Sequence, residues 1–329
     1  MRILHYGVIG TMGALVGILV VLVSVRPPAE ETRAPQARLV PVFQTDAGGF
    51  GLPNRMIGIT TGARPLTADS LSEDIPGMGY DLDLVGSGNV AVPRLFLSNL
   101  PSDLESLNEE ESRKVVFFRV VLPLILYANE EIVADRKRLW RIRYAVRRGL
   151  RLSPQDRLWL IIKAEEYRAE PGDLDDLARR IDVVPPSLAL ATAALNSDWG
   201  TSALSHQRNA LFGLPVDAAP QVEAVTSSNL TLGRAQEAWS FDSLLESVRA
   251  YVQNLNVHPA YDQFRETRAD MRRGGAPLDG VLLIPSLKTA SQQRAGYTDT
   301  VQSIMEANDL RRLDDARLQY APSVSEPSA

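Results

Sequence analysis

The sequence predicts a mainly α-helical domain set behind one apolar N-terminal helix and a flexible linker. Three observations carry this reading. Residues 6–25 run without a charge, residues 26–91 are dense in Gly, Pro, Ser, Asp and Thr, and from Leu104 onward apolar residues recur at three- and four-residue spacing. With 329 residues, 45% hydrophobic and 23% charged, the chain has the composition of a globular protein and the length for a sizeable core in one or two domains. The absence of cysteine excludes disulfides, thiolate metal sites and a cysteine nucleophile. His5, His206 and His258 are too scattered for a zinc constellation, so neither a metal nor a cofactor is expected. A net charge of −5 gives no electrostatic case for nucleic acid as a partner.

The first element is the stretch YGVIGTMGALVGILVVLVSV, residues 6–25, whose length as a helix matches a bilayer's hydrocarbon core of roughly 30 Å. Arg26, Pro27 and Pro28 end it. A cleaved secretory signal has an apolar region of about 7–15 residues and a small-x-small site, which Val23-Ser24-Val25 fits poorly, so an uncleaved single-pass anchor over 1–25 is expected. Flanking charge does not set its orientation: Arg2 faces Arg26, Arg33 and Arg38 across it. Gly13 and Gly17 form a GxxxG that would allow weak self-association, against the plain alternative that glycine is common in membrane helices.

Residues 26–91 read as a largely irregular tether with one or two weak strands. A long helix then carries Val116, Val120, Leu124, Leu139, Ile142 and Val146 on its apolar face, and Pro123 is expected to kink it or mark its start. Within it, residues 136–151 (RKRLWRIRYAVRRGLR) are strongly basic. They read either as a binding face for anionic wall polymer or lipid headgroups, or as a solvated face with Leu139, Ile142 and Val146 inward. Ser153-Pro154-Gln155-Asp156, Asp173 and Pro185-Pro186 each open a further helix. Eight to ten helices are expected in all, with residues 222–232 the strand candidate and 319–329 a disordered tail.

The most informative stretch is VVPPSLALATAALNSDWGTSALSHQRNALFG, residues 183–213. It resembles the bacterial peptidoglycan glucosaminidase family (the mannosyl-glycoprotein endo-beta-N-acetylglucosaminidase-like domain), whose signature is an Ala-rich helix ending in Glu-Ser-x-Trp-Gly-Thr-Ser followed by Asn-x-Leu-Phe-Gly. The matching residues here are Ser197, Trp199, Gly200, Thr201, Ser202, Asn209, Leu211, Phe212 and Gly213. VPRLFLSNLP, VVFFRVVLPLIL and FDSLLESVRAYVQNLNVHPAYDQFRETRA extend the resemblance to the Bax-type branch, over 92–318. It implies a lysozyme-like fold for that region, peptidoglycan glycan strands as partner, and a place at the inner membrane with the domain in the periplasm.

One departure governs the functional expectation. Where the family has its catalytic Glu, this chain has Asn196. Glycosidic cleavage requires a carboxylic acid of raised pKa to protonate the leaving oxygen, and such a positioned acid contributes about 10²–10⁴-fold. Asn has no proton to give. The expectation is therefore a peptidoglycan-interacting protein impaired in catalysis; the alternative is an active endo-β-N-acetylglucosaminidase using a substitute acid such as Asp198. A continued helix would turn Asp198 roughly 200° from the direction of Asn196, and Asp198 reads better as a cap for the turn at Thr201. The resemblance places Trp199, Asn209, Phe212, Tyr251 and Tyr261 at a glycan groove. Trp199 and Phe212 either stack on sugar or fill the core beneath, and Tyr251 also fits a plain amphipathic face with Leu244, Val248 and Leu255. His258 reads as a local hydrogen-bonding residue. The connection 214–230 is shorter than in many relatives.

Overall fold

A helix apolar on every side has to be surrounded, and SLALATAAL within residues 186–197 is such a sequence. In the computed structural model this helix is the centre of the fold. Residues 67–68, 71, 80–107, 109–213, 224–225, 238–287 and 296–320 are described. The chain divides into two units, Met1–Ala34 and Pro35–Ala329, and every described residue belongs to the second. The apolar stretch 6–25 with Gly13 and Gly17, residues 214–223 of the shortened connection and residues 321–329 of the tail lie outside the described residues. Among the described residues no helix is long and apolar enough to cross a membrane.

In order, the elements are α1 (Leu82–Gly86), α2 (Glu110–Arg147), α3 (Pro154–Glu166), α4 (Leu174–Arg180), α5 (Pro186–Ser197), α6 (Ala203–Arg208), β1 (Ala224–Val225), β2 (Ala238–Trp239), α7 (Leu244–Val257), α8 (Asp262–Arg273), α9 (Gly280–Leu283) and α10 (Tyr297–Ala307), with short 3₁₀ turns between them. The domain is mainly helical. β1 and β2 form one antiparallel pair, Ala224 opposite Trp239, inside the loop-rich stretch. Val92 and Leu318 meet in a parallel bridge, with Val92 N donating to Arg317 O at 2.8 Å and Gln319 N to Val92 O at 2.8 Å. Helix α5 packs against α2, α9, α10 and the 3₁₀ turn Leu310–Leu313.

The helix starts follow local chemistry. Ser153 accepts from Asp156 N ahead of α3, Asp173 accepts from Asp175 N and Asp176 N ahead of α4, and α5 begins at Pro186 behind Pro185. Pro123 neither starts nor breaks α2, which runs through it from Glu110 to Arg147. Its ring deprives the Arg119 carbonyl of the usual partner four residues on. The Tyr80 hydroxyl donates to that carbonyl at 3.3 Å, while the Arg119 guanidinium returns bonds to Tyr80 O at 2.8 Å and Leu71 O at 2.9 Å. Residues ahead of α2 thus satisfy the gap that the proline makes. Leu139 and Ile142 are buried as the periodicity predicts, but Val146, in the last turn of α2, is 45% exposed.

The connection from α4 to α5 is irregular, buried and held by side chains. Arg268, fully buried on α8, donates through Nη1 to Asp182 O and Val183 O at 3.1 Å each and through Nη2 to Arg179 O at 2.9 Å. Asn256 donates to Asp182 O at 3.0 Å, and Asn129 both donates to Val184 O at 2.8 Å and accepts from Val184 N at 3.1 Å. The Asp182 carboxylate in turn meets Arg272 at 2.9 Å and Arg136 at 3.3 Å. Burial pushes its pKa up, but the surrounding arginines, Arg268 foremost, prevail and hold it below the ordinary carboxylate range. At the other side of the same junction, Asp314 accepts from Ser187 N at 2.8 Å and Ser187 Oγ at 2.9 Å, capping α5 where Pro185 offers no side-chain cap. Burial raises the Asp314 carboxyl to about 6.

Two stability predictions arise here. Asp182→Asn leaves the fully buried Arg268 without its counter-charge and should cost about 3–5 kcal/mol in urea unfolding near neutral pH. Because the folded pKa of Asp182 is depressed, its contribution is present above the unfolded value and lost as pH falls through the folded one. Asp314 has the opposite sign. Its folded pKa of about 6 exceeds the ordinary 3.8, so stability from this group is fully present below 3.8 and lost as pH rises through 6. Asp314→Asn should flatten the unfolding profile across that window; an unchanged slope contradicts the assignment.

Candidate active site at the end of the central helix

The last turn of α5 and the chain leaving it hold the residues that the sequence singles out. Ser197 is fully buried, donating to Ala193 O at 2.7 Å and accepting from Gly200 N at 2.9 Å. That bond ties the helix end to the loop. Asp198, Trp199 and Gly200 then all take left-handed backbone, with φ of 51°, 57° and 82°. For Asp and Trp this costs on the order of 1–3 kcal/mol each and persists only where the surroundings enforce it. At Gly200 a side chain would be both strained and crowded: φ is +82° and a Cβ would lie 3.0 Å from Leu100 and Leu104. Ser202 caps α6 by accepting from Ser205 N at 3.2 Å. Asp198 therefore does not cap that helix; it ends α5, exposed, and takes the Thr201 hydroxyl on its carbonyl at 2.7 Å.

Asn196 points the other way. Its amide donates to Thr192 O at 2.7 Å and to the Tyr297 hydroxyl at 3.3 Å. A Cβ on Gly213 would come within 2.9 Å of Asn196 Oδ1, so glycine there is what leaves room for the side chain. The buried Tyr251 hydroxyl donates to Thr192 Oγ1 at 3.3 Å, and its ring stacks flat on Phe212 at 4.0 Å between centroids, 6° from parallel. Helices α5, α7 and α10 and the Phe212-Gly213 segment thus bring Asn196, Thr192, Tyr251 and Tyr297 into one polar, aromatic-walled cluster. Burial raises the pKa of both Tyr297 and Tyr251, and for Tyr251 it is reinforced by its tyrosine neighbours. Both hydroxyls stay protonated at neutral pH and act as donors and acceptors, not as bases. Tyr261 is buried beside His258, whose Nδ1 accepts from Ala260 N at 3.2 Å in the turn between α7 and α8.

Like Asp198, Trp199 and Asn209 sit apart from this cluster. Trp199, half-buried, packs edge-on against Phe117 and Phe118 at 6.1 and 5.5 Å, with the Lys114 ammonium 5.3 Å from its ring centre. Asn209 is buried in left-handed backbone at the end of α6, donating to Phe241 O at 3.0 Å and accepting from Asn99 at 3.0 Å. Tyr297, by contrast, is in the cluster and was not among the expected residues. Its sole local signal is Gly296-Tyr297-Thr298-Asp299, a helix start, and its partner Asn196 lies 101 residues away.

A mainly helical domain whose central helix delivers one polar side chain to an aromatic-walled cluster at its C-terminal end is the class of protein defined so far. Residues 173–310 match the family model described as mannosyl-glycoprotein endo-beta-N-acetylglucosaminidase. The chain is 32% identical over 217 residues to Protein bax of Escherichia coli (strain K12), covering 64% of this chain and 75% of that one. This chain belongs to the glucosaminidase family, in its Bax-type branch. A solved structure, the catalytic domain of the autolysin Auto from Listeria monocytogenes, aligns at 18% identity over 53% of this chain and 96% of its own, with a TM-score of 0.28.

Trp199→Ala should lower stability by up to about 3 kcal/mol, the low end for truncating a buried Trp, since the ring is half-exposed against Phe117 and Phe118. Thermal melting measures this, and murein pull-down at a temperature where the variant is folded shows whether the ring also contacts glycan.

Proposed function

We propose that this chain is a peptidoglycan-interacting protein that retains the family's glycan groove but is impaired in hydrolysis, because Asn196 stands at the family's acid position. The resemblance in residues 92–318 supports a lysozyme-like arrangement of the groove, with Phe212, Tyr251 and Tyr261 along it and Trp199 and Asn209 as further family-matched substrate-binding positions. The apolar stretch 6–25 supports a single-pass inner-membrane anchor, with the domain in the periplasm.

The observation that carries this reading is the bonding of Asn196. Its amide N–H already fills the acceptor at Thr192 O, the place at which a protonated carboxylic acid would donate. An amide so bonded offers a leaving oxygen no transferable proton. Asp198, on left-handed backbone and turned toward Thr201, supports the alternative of a substitute acid only weakly.

The full-length protein should co-sediment with purified murein sacculi while releasing no new reducing ends. Asn196→Glu should raise hydrolysis by about 10²–10⁴-fold over wild type, because it returns a proton donor to the family's acid position. Hydrolysis by wild type that Asp198→Asn abolishes would establish the alternative instead.

A further inference from the structure

Nothing in the glycan reading uses the basic half of α2. Beyond Ile132 this helix projects a face made of Lys137, Trp140, Arg141, Tyr144, Arg147 and Arg148, all exposed, within an arc of about 120° at 100° per residue. The residues facing the core and α3 are different ones: Leu139 and Ile142 are buried, Arg138 pairs with Asp156, and Asp135 with Lys163. Trp140 is 46% exposed and Tyr144 60%, which is unusual for large aromatics on a surface without a partner. Each is held by a cation: the Arg143 guanidinium lies 4.3 Å from the Trp140 ring centre and Arg148 lies 5.6 Å from that of Tyr144.

The charge on this face is one-sided. No acidic residue occurs from 136 to 155, and among the described residues Lys137, Arg141 and Arg148 have no ion-pair partner. Among the described residues two carboxylates border the face: Asp175, paired with Arg143 and 3.9 Å from Arg147, and Asp156, paired with Arg138 and felt electrostatically by Arg141. Cations alone would suit any polyanion. The aliphatic groups narrow the choice, since Val133, on the same face, is 38% exposed and Leu150, just past the end of the helix, 58%. A hydrated wall polymer has nothing to cover such groups, whereas the boundary between headgroups and acyl chains covers them while arginine stems reach outward to phosphates.

We propose that the C-terminal half of α2 is a docking face for an anionic lipid surface, with Trp140 and Tyr144 seated at headgroup level and Lys137, Arg141 and Arg148 on lipid phosphates. This goes beyond the glycan reading and does not depend on it.

The cysteine-free chain permits a direct test. Full-length Tyr144→Cys, carrying an environment-sensitive fluorophore, is mixed with phosphatidylcholine vesicles prepared with and without phosphatidylglycerol; full-length Glu266→Cys, labelled on the exposed side of α8, is the control. The expected result is a blue shift at position 144 that requires phosphatidylglycerol, weakens with salt and is absent at position 266. Each cation near an anionic surface contributes about fivefold, so adding Lys137→Gln, Arg141→Gln and Arg148→Gln should weaken the lipid-dependent response by about a hundredfold. Salt and lipid dependence of the parent remain decisive should that variant misfold. Equal responses to neutral and anionic vesicles, equal responses at both positions, or a response to murein sacculi but not to vesicles would each overturn the proposal.

Discussion

Helix α5 begins with two prolines, and a buried, irregular connection with several carbonyls to satisfy leads into it. Asp182 and Arg268 resolve this together. Arg268 gathers the carbonyls of residues 179, 182 and 183, and the Asp182 carboxylate answers the charge of buried Arg268 and of the more exposed Arg136 and Arg272. A fully buried guanidinium is tolerable only because nearly all of its donors and its charge are answered locally. Every other feature at the candidate site inherits its position from this junction, since α5 is aimed by the residues that hold its first turn. Asp314 adds the missing cap on the opposite side, at the cost of ionising in a buried place.

From that fixed start the helix needs about three turns to deliver Asn196. The interior of α5 is small and apolar, which lets α2, α9 and α10 close around it. Its end is polar, and the change is abrupt: Ser197 turns inward to hold the loop, Asp198 turns outward, and Asn196 meets Thr192 and Tyr297. Three consecutive left-handed residues are what reverse the chain so sharply. The close approaches at Gly200 and Gly213 show that this reversal is packed on both sides, with Leu100 and Leu104 against one and Asn196 against the other. Rigidity of this kind positions a side chain whether or not that side chain is an acid.

How much of this is legible in the sequence depends on the range of the interaction. Ser153, Asp173 and Pro185-Pro186 announce their helices because a cap bonds to atoms two or three residues away. Ser197, Gly200 and the Asn-x-Leu-Phe-Gly run are readable through family resemblance, since their spacing is itself the motif. Pro123 misleads, because the partner that rescues the Arg119 carbonyl is Tyr80, in a stretch that reads as linker. Val146 misleads because periodicity marks a face but not which of its turns are covered. Tyr297 is invisible for the same reason: a tyrosine opening a short helix carries no mark of the amide 101 residues earlier that it meets.

The central claim is that the cluster around Asn196 receives glycan and leaves it uncut. The side-chain amide of Asn196 reports on this directly, since its N–H groups lie where the reaction's proton would be. Titrating isotopically labelled protein with chitin-type N-acetylglucosamine oligomers should move the Asn196 side-chain amide resonance saturably, an assignment made by its loss in Asn196→Asp, while the oligomers remain intact. An amide resonance that stays fixed while the protein binds the oligomer, or oligomers that shorten as the titration proceeds, would contradict the account.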